Sequence, residues 1–346
     1  MSYPYYWLLL CILLSQVACK TQQANSVQKS PQENYRIAFY NVENLFDLKD
    51  NPQTLDEEFT PSGKKQWNPG RYQHKLDQLA KVLEGMQYPE LLGLCEVENG
   101  EVLQDFIDKT SLAGKSYQYV HYDSPDKRGI DAAFMYQADV FKVMKTDTIR
   151  IHFPKGVVPN EPDYTTRDIL YIKGLLKDRD TLHLFINHWP SRRGGVQQSE
   201  PKRLYVARQL ANAVKTCWQG DQEANIIIMG DMNDETVNNS ILELTTLRPP
   251  NSKQSLYNCM AVLDEQGKGS YNYRGNWNML DHIIVSPSMA NQKGGLRISQ
   301  ATIFRKDWMM YEDRKYGQRP SRSYGGPRYY GGYSDHLPIF VELAVY

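Results

Sequence analysis

Residues able to handle a proton or a metal ion follow an apolar stretch in the middle of the chain. Residues 226–229 are three isoleucines and a methionine, a run typical of a buried strand, and Gly230 interrupts it. Asp231 and Asn233 come next, and an extended backbone directs side chains at such a spacing to one face. A carboxylate can accept a proton, and an amide donates and accepts hydrogen bonds. The pair suits holding a water molecule against a phosphorus atom, although a strand-end turn that satisfies its own backbone has the same residues.

Similar polar residues stand where other predicted strands end. They are Asn41 and Glu43, Glu96, His188, Asp281, and Asp335 with His336. Carboxylates that converge repel one another unless a cation or a proton joins them, so we expect a shared ion if these strand ends meet. Oxygen-rich sets with few histidines suit Mg²⁺ or Mn²⁺ better than Zn²⁺, and the chain has no C-x-x-C pair. The sequence therefore predicts a hard-cation site with the groups needed to hydrolyse a phosphate ester.

The apolar pattern indicates which strands and helices must position these residues. Predicted strands cover residues 36–47, 91–99, 117–122, 131–136, 169–176, 181–189, 224–229, 281–285, 301–304 and 337–343. Leu76, Leu79 and Leu83 recur at helical spacing and predict a helix from Arg71 onward, and Ser199-Glu200-Pro201 opens another. Strands that alternate with few long helices predict an α/β (α+β) fold of two packed sheets flanked by helices.

Residues 308–333, here called the Tyr/Arg/Gly segment, are dominated by those three residue types. Such a segment can place guanidinium groups against phosphates and aromatic rings against flat ligands. A surface insertion without a role in binding is the alternative. Because the segment directly precedes Ser334-Asp335-His336, we expect it at the rim of the site.

Size and charge restrict the interpretation only weakly. At 346 residues the chain is long enough for one large α/β domain or for two domains. Lys and Arg together number 40, as do Asp and Glu, so the overall charge does not indicate nucleic acid or an acidic partner. Contact with a polyanion must come from a local patch, and nothing in the sequence indicates a protein partner.

The amino terminus has the features of an export signal. Residues 7–18 are an apolar run too short for an ordinary membrane-spanning helix. Val17-Ala18-Cys19 is similar to a bacterial lipoprotein cleavage site, which makes Cys19 a lipid-carrying first residue; an uncleaved anchor is the alternative. We expect the mature protein to be exported and membrane-anchored, in the periplasm or at the cell surface. The predicted parts are a leader over residues 1–19, a flexible tether over 20–34 and a catalytic domain over 35–346.

Six short motifs occur in a distinctive order along the chain. They are Tyr40-Asn41-Val42-Glu43, Leu94-Cys95-Glu96-Val97, Asn187-His188, Gly230-Asp231-Met232-Asn233, Asp281-His282 and Ser334-Asp335-His336. Together they resemble the endonuclease/exonuclease/phosphatase superfamily of metal-dependent phosphodiesterases, which includes pancreatic-type DNase and neutral sphingomyelinases. The resemblance implies a DNase I-like fold, a four-layered α/β sandwich of two packed mixed β-sheets flanked by helices, with the active cleft at one edge.

The resemblance also implies a metal site at the matching positions. Glu96 is expected to be the central ligand, with Glu43, Asn41 and Asp335 completing or orienting the coordination sphere. The expected ion is Mg²⁺, with Mn²⁺ as an alternative.

The matching positions further imply how water would attack phosphorus. Asp231 is expected to position and deprotonate the water, and Asn233 to hold the water and a phosphate oxygen. His336 is expected to donate to a phosphoryl oxygen while Asp281 fixes its ring and favours its protonated form. His188 matches a second histidine of DNase-like members and is expected to donate a proton to the leaving oxygen.

Three further residues are candidates by their position near these motifs. Asp131 begins a predicted strand and can orient His188 through a carboxylate–imidazole hydrogen bond, with a plain turn residue as the alternative. Arg128 and Arg192 can bind phosphate oxygens bidentately, with solvated loop arginines as the alternative.

The residues together predict an exported, Mg²⁺-dependent phosphodiesterase that acts on nucleic acid or another phosphate ester, with a nuclease as the first interpretation. The neutral chain keeps open a phosphatase or a phospholipase C-like enzyme acting on sugar phosphates, inositol phosphates or phospholipid head groups. A surface binding module that retains the scaffold without catalysis is a third interpretation, which the complete set of acids, amides and imidazoles disfavours.

Overall fold

The computed structural model describes residues 1, 33–158, 161, 163–290 and 295–346. Two compact units divide the chain, Met1–Ser30 and Pro31–Tyr346, and the elements below all belong to the second. The predicted leader with Cys19 and most of the predicted tether lie outside the described residues. Within the described ranges, no helix is both long enough and apolar enough to cross a bilayer.

Strands and helices alternate along the second unit. The strands of the described residues are β1 Glu33–Leu45, β2 Leu91–Val97, β3 Tyr117–His121, β4 Asp131–Gln137, β5 Phe141–Ile149, β6 Ile169–Leu176, β7 Asp180–His188, β8 Asn225–Asp231, β9 Tyr257–Asn258, β10 Tyr271–Tyr273, β11 Asn276–Asn278, β12 Asp281–Val285, β13 Leu296–Ile303, β14 Met310–Asp313, β15 Gly317–Pro320, β16 Tyr324–Gly325, β17 Arg328–Tyr329 and β18 Ile339–Val345. The α-helices of these residues are α1 Pro69–Gly85, α2 Gly100–Asp108, α3 Val196–Gly220, α4 Asn239–Thr245, α5 Ala261–Glu265 and α6 Pro287–Ala290, with short 3₁₀ helices at Glu57–Phe59 and Asp307–Met309. The predicted strands are present with shifted boundaries, and α2 is an element that the pattern did not predict.

Twelve of the strands in the described residues form two six-stranded sheets. The first has the order β13-β18-β1-β2-β4-β3, and the second has the order β5-β6-β7-β8-β12-β9. One neighbouring pair in each sheet is parallel, β1–β2 in the first and β7–β8 in the second, and the other neighbours are antiparallel. The parallel connections contain α1 and α3, because parallel neighbours need a long crossover. Both sheets are therefore mixed, as predicted.

Alternating side chains of the central strands divide the apolar core into three parts. Phe39 of β1 and Met229 of β8 belong to the cluster that lies between the two sheets. Their neighbours face outward, where Tyr40 packs in a cluster with α1 and Ile228 packs in a cluster with α3. Burying each such side chain contributes roughly 1.5–3 kcal/mol, so these clusters fix the strand positions. Helix, sheet, sheet and helix form four layers, which confirms the predicted DNase I-like sandwich.

The predicted start of α3 at Ser199 was wrong by three residues. The helix begins at Val196, and Ser199 and Pro201 lie inside it. The reason is Gly195, whose φ of 118° turns the chain directly into the helix. The Ser199 hydroxyl donates to the Gly195 carbonyl at 2.6 Å, so it closes the first turn instead of capping it.

The Tyr/Arg/Gly segment contains two short hairpins, β14–β15 and β16–β17, where the sequence predicts a loop. Lys75 of α1 fixes this segment, because its buried ammonium group donates to Ser323 Oγ and to the Tyr333 carbonyl, both at 2.7 Å. The segment is therefore attached to the helix layer of the first sheet and is not a free insertion.

Candidate active site

The carboxyl ends of the two parallel strand pairs carry the predicted polar residues in register. In the first sheet, Asn41 of β1 is opposite the residue that precedes Glu96. In the second sheet, Asp231 of β8 is opposite His188 of β7 on one side and Asp281 of β12 on the other. Ligand sites of α/β sheets usually lie at such strand ends. The register therefore explains why residues from distant motifs meet.

Three of these residues break the regular strand backbone. Glu43, Glu96 and Asn233 have φ values of 51°, 63° and 52°, in the left-handed region that residues other than glycine seldom adopt. The register of β1 and β2 also shifts between Asn41 and Leu45. The irregular backbone takes these side chains out of the strand alternation, and strain of this kind is frequent at functional sites.

The Asp231 carboxylate is the centre of the site. Its Oδ2 atom accepts a hydrogen bond from Asn41 Nδ2 at 3.0 Å and lies 3.7 Å from His336 Nε2 and 3.8 Å from His188 Nε2. Its Oδ1 atom accepts from the backbone N–H of Asn233 at 2.9 Å. Burial raises the pKa of Asp231 from 3.8 to about 7, although the charge of His336 opposes this shift. A carboxyl group with a near-neutral pKa is suited to take a proton from water.

His336 is held by a carboxylate on the neighbouring strand. Its Nδ1 atom lies 2.7 Å from Asp281 Oδ2, and both side chains are buried. Burial alone would lower the pKa of His336, but Asp281 and Asp231 outweigh burial and raise this pKa well above 6.5. One ligand atom from each of these three residues lies within 4.8 Å of the others, so the group can also hold a metal ion. The imidazole is protonated here, which is the state that a donor to a phosphoryl oxygen requires.

His188 is equally buried but lies in different surroundings. Its Nε2 atom is 3.9 Å from Glu96 Oε1, and its Nδ1 atom has no hydrogen-bond partner among the described residues. Burial lowers the pKa of His188 well below 6.5, and the charges of Arg167 and Arg128 lower this pKa further. The imidazole is therefore neutral and can donate only the one hydrogen that it carries.

The predicted support of His188 by Asp131 was wrong. Asp131 Oδ1 accepts from the backbone N–H of Ser124 at 3.0 Å, and its Oδ2 atom lies 3.3 Å from His121 Nε2. The reason is the placement of the strands, because Asp131 begins β4 in the first sheet whereas His188 ends β7 in the second. Asp131 therefore pairs with a histidine of its own sheet.

Of the predicted metal ligands, Asn41 and Glu96 lie beside the Asp231 carboxylate, while Glu43 and Asp335 lie next to Ser323 and Arg322. Glu96 Oε1 is 3.4 Å from Asn41 Nδ2, and the side chains of Glu96 and Asp335 are 15% and 24% exposed. Glu43 is more deeply buried and accepts from the backbone N–H of Ser323 at 2.6 Å. Burial and the charge of Asp335 raise the pKa of Glu43 from 4.5 to about 7.

The charges around these ligands suit a divalent cation. Lys75 interacts electrostatically with Glu43, Asp335 and Glu96, so one buried amine faces three carboxylates. Burial lowers the pKa of Lys75 to about 8, so even this balancing charge is weakened. Burial first, and then the nearby charge of Asp335, raise the pKa of Glu43, so a cation between these carboxylates would favour their charged forms. Glu96 and Asp335, with Glu43 and Asn41, therefore fit a hard ion that prefers oxygen ligands.

The two predicted phosphate-binding arginines differ. Arg128 is half exposed and lies 3.6 Å from Asp126, which leaves guanidinium hydrogens for a ligand. The prediction for Arg192 was wrong, because its guanidinium donates to the Asn233 carbonyl at 2.7 Å and to Asn238 Oδ1 at 3.0 Å. The turn after β8 supplies these acceptors, so Arg192 fixes the backbone of Asn233 instead of binding a phosphate.

Sequence reasoning missed several residues that hold the site in place. Arg167 is buried, donates to the His188 carbonyl at 3.2 Å and pairs with Asp126 at 2.9 Å. Lys75 balances the carboxylates from α1. The Ser334 hydroxyl donates to the Asn41 carbonyl of β1 at 2.7 Å and so joins the last motif to the first. Arg167 and Lys75 belong to no motif and only packing reveals them, whereas Ser334 stands inside a motif that could have indicated its role.

Known proteins share this fold. Residues 36–345 match the Endonuclease/Exonuclease/phosphatase family. A humanized D. rerio TDP2 is similar with a TM-score of 0.56 and 14% identity, covering 90% of this chain and 99% of that chain. The human Nocturnin catalytic domain with bound sulfate is similar with a TM-score of 0.55 and 16% identity, covering 91% and 94%. For the Bacteroides thetaiotaomicron mannosyl-6-phosphatase the TM-score is 0.54 and the identity 16%, covering 90% and 99%.

No curated protein matches the chain by sequence. The family match nevertheless extends over almost all of the second compact unit and includes all six motifs. The chain therefore belongs to the endonuclease/exonuclease/phosphatase family, whose members are metal-dependent phosphoric ester hydrolases.

Proposed function

We propose that this protein is an exported, Mg²⁺-dependent phosphodiesterase and that its substrate is nucleic acid. The observation that carries the proposal is one carboxylate flanked by two imidazoles, with Asp231 Oδ2 at 3.7 Å from His336 and 3.8 Å from His188. Cleavage of a phosphodiester needs a base for water, a donor to the non-bridging oxygens and a donor to the leaving oxygen. The three side chains match these three tasks.

Asp231 and His336 act on the attacking side of the proposed reaction. Asp231 accepts the proton of the water that attacks phosphorus, and the second amide hydrogen of Asn233 remains for that water or a phosphate oxygen, because the first bonds the Trp189 carbonyl at 3.1 Å. His336, kept protonated by Asp281, donates to a non-bridging oxygen as negative charge develops there. Bound Mg²⁺, held by Glu96 and Asp335 with Glu43 and Asn41, would neutralise part of the phosphate charge.

His188 acts on the leaving side. The imidazole is neutral in the free protein, so its first contribution is a hydrogen bond to the leaving oxygen. A phosphate placed next to it brings negative charge, which favours the protonated imidazole and opposes the effect of Arg167 and Arg128. This gives the leaving oxygen a proton source that the attacking side does not provide.

Export and attachment to a membrane are supported by the apolar run at residues 7–18 and by Val17-Ala18-Cys19. Cys19 is the residue that would carry the lipid. Growth with a fatty-acid analogue should label the wild-type protein and not the Cys19→Ala variant. Equal labelling of both would contradict attachment through Cys19.

Hydrolysis of a small phosphate ester is the second candidate. It is favoured by the equal numbers of basic and acidic residues, 40 of each, because nonspecific binding of nucleic acid depends on many cationic contacts. Sugar phosphates, inositol phosphates and phospholipid head groups are the relevant substrates.

The test combines one variant with a substrate panel. Asp231→Asn keeps the size of the side chain and removes the base, so we expect kcat to fall about a thousandfold. DNA, RNA, bis-p-nitrophenyl phosphate, p-nitrophenyl phosphate and sphingomyelin are assayed with Mg²⁺. Asp313→Asn is the matched control, because Asp313 pairs with Arg319 in the Tyr/Arg/Gly segment and should keep full activity. Parental activity in Asp231→Asn, or a preference of the wild type for phosphomonoesters, would contradict the proposal.

A further inference from the structure

Arg322 has a fixed backbone next to the candidate metal ligands. Its carbonyl accepts from the backbone N–H of Gly332 at 3.1 Å, and the N–H of the following residue, Ser323, donates to Glu43 at 2.6 Å. Lys75 holds Ser323 from α1 through a further hydrogen bond at 2.7 Å. The position of Arg322 is therefore determined by the scaffold and not by its own side chain.

The guanidinium of Arg322 lies next to the candidate metal ligand Asp335 and has donors still free. Its Nη2 atom lies 3.6 Å from Asp335 Oδ2, longer than a hydrogen bond, and it also interacts with the Tyr271 side chain. Its Nε atom is buried and has no hydrogen-bond partner among the described residues. A buried donor without a partner is unfavourable in a folded protein, so such a group calls for a ligand. The side chain is 31% exposed, which leaves room for one.

Tyr271 places this guanidinium close to His336. The rings of Tyr271 and His336 are 4.8 Å apart and tilted by 35°, and the two residues also form a β-bridge. Arg322 therefore interacts with the same Tyr271 side chain against which the His336 ring lies. The guanidinium and the imidazolium also both interact electrostatically with Asp335.

The buried Arg167 is an arginine of this site with a structural role. Arg167 donates to the carbonyls of His188 and Trp189 and to the Asp126 carboxylate, at 3.2, 2.7 and 2.9 Å. Each of its three guanidinium nitrogens therefore donates to an acceptor of the protein. The Arg322 side chain has no such set of short contacts in the described part of the chain, although hydrogen bonds fix the backbone on both sides of it.

We propose that Arg322 binds a non-bridging oxygen of the scissile phosphate, beside His336, and is a catalytic residue of this site. The inference rests on the proposed hydrolysis of phosphoric esters, and it adds a guanidinium from the Tyr/Arg/Gly segment to the transition-state contacts. A planar guanidinium matches two phosphate oxygens, so lysine should replace it only in part.

The test measures the binding of inorganic phosphate separately from catalysis. In full-length protein with saturating Mg²⁺, Arg322→Ala should weaken inhibition by phosphate at least tenfold and lower kcat on bis-p-nitrophenyl phosphate about a hundredfold. Arg322→Lys should recover part of both losses. If the alanine variant does not fold, the lysine variant is compared with the wild type in its place. Arg328→Ala is the matched control, because Arg328 is exposed in the same segment with its guanidinium over the Tyr330 ring.

A titration with Mg²⁺ separates phosphate binding from a structural role. Removing a positive charge 3.6 Å from Asp335 should leave Mg²⁺ affinity unchanged or increase it, while phosphate affinity falls. Weaker Mg²⁺ binding with unchanged phosphate inhibition would overturn the proposal, because Arg322 would then only position Asp335. Phosphate inhibition within threefold of the wild type would overturn it as well. Since phosphate binding does not depend on which ester is cleaved, failure of the nuclease proposal is distinguishable from failure of this one.

Discussion

The active-site edge has two halves, and each half contains one buried histidine. The charged groups around these two histidines have opposite signs. In the carboxylate half, His336 contacts Asp281 at 2.7 Å, and its pKa lies well above 6.5 despite burial. In the arginine half, Arg167 and Arg128 add to burial and keep the pKa of His188 well below 6.5. Both imidazoles lie within 3.8 Å of Asp231, so their distance from the base does not distinguish them.

The comparison shows that neighbouring charge, and not a difference in burial, makes the two imidazoles differ in protonation state. Burial opposes the charged form in both halves. In the carboxylate half, a carboxylate in hydrogen-bond contact with His336 outweighs the effect of burial on its pKa. In the arginine half, no carboxylate does so for His188, because the carboxylates of Asp231 and Glu96 lie 3.8 and 3.9 Å from its Nε2 atom. The halves are therefore prepared for different tasks, one for a charged donor and one for a neutral donor.

Removing the charge of Asp281 should have the largest effect on this difference. Asp281→Asn keeps the shape of the side chain and removes the carboxylate that favours protonated His336, so kcat on bis-p-nitrophenyl phosphate should fall about a thousandfold. A histidine NMR titration should show the pKa of His336 moving down, while burial, Arg167 and Arg128 still keep that of His188 below 6.5. Asp264→Asn removes a carboxylate in α5 and should change the pKa of neither histidine.

A His336 pKa that stays high in Asp281→Asn would contradict the account of the carboxylate half. Asp231 would then be the group that keeps the imidazole protonated, and Asp231→Asn should lower the same pKa instead. The two variants together identify the responsible carboxylate.

Removing His188 should have a smaller effect that depends on the leaving group. His188→Ala should lower kcat on DNA about a hundredfold, because an alkoxide leaves poorly without a donor, and should change hydrolysis of a p-nitrophenyl ester little. His188→Gln should recover part of the loss on DNA, because an amide also donates a hydrogen bond. The measurement is kcat for both substrates in the wild type and the two variants.

The glutamine variant is decisive for the arginine half. If His188→Gln is as inactive as His188→Ala on DNA, His188 acts by transferring a proton, which requires the protonated imidazole that a bound phosphate favours. Equal losses on DNA and on the p-nitrophenyl ester would place His188 away from the leaving oxygen altogether.

Much of this edge could be predicted from sequence because it follows from local rules. An apolar run that ends in a polar residue fixes a strand end, and parallel pairing brings such ends together, so Asn41, Glu96 and Asp231 meet as expected. The fold class followed from the same pattern, and the layers followed from residues alternating between two faces. These inferences need no knowledge of which loop lies beside which strand.

The partners of charged loop residues could not be predicted in the same way. Asp131 pairs with His121 and Arg192 pairs with Asn233, because each meets the acceptor or donor that its own sheet or turn supplies. Arg322 lies far along the chain from the Glu43 neighbourhood that it enters, and the register of short hairpins decides where it points. Long-range contacts of this kind are set by tertiary packing, and no local pattern encodes them.

The pH dependence of Mg²⁺ binding should show the smallest effect and concerns the carboxylate half. The pKa of Glu43 is about 7 in the folded protein and 4.5 as an unperturbed group, so the folded state keeps this proton at pH values where the unfolded state has lost it. The contribution of this group to the free energy of unfolding therefore falls as the pH rises from 4.5 to 7. Mg²⁺ binds the deprotonated form, so it should bind about tenfold more weakly at pH 6 than at pH 8.

Calorimetric titration with Mg²⁺ at the two pH values measures this, with Glu43→Gln as the diagnostic variant. Glutamine cannot hold a titrating proton, so the variant should bind Mg²⁺ with the same affinity at both pH values. A pH dependence that persists in Glu43→Gln would assign the titration to Asp231, whose pKa is also about 7, or to Lys75, whose pKa is about 8. Loss of that dependence in Asp231→Asn would identify Asp231, and because Asp231 belongs to both halves, metal binding would then depend directly on the protonation state of the base.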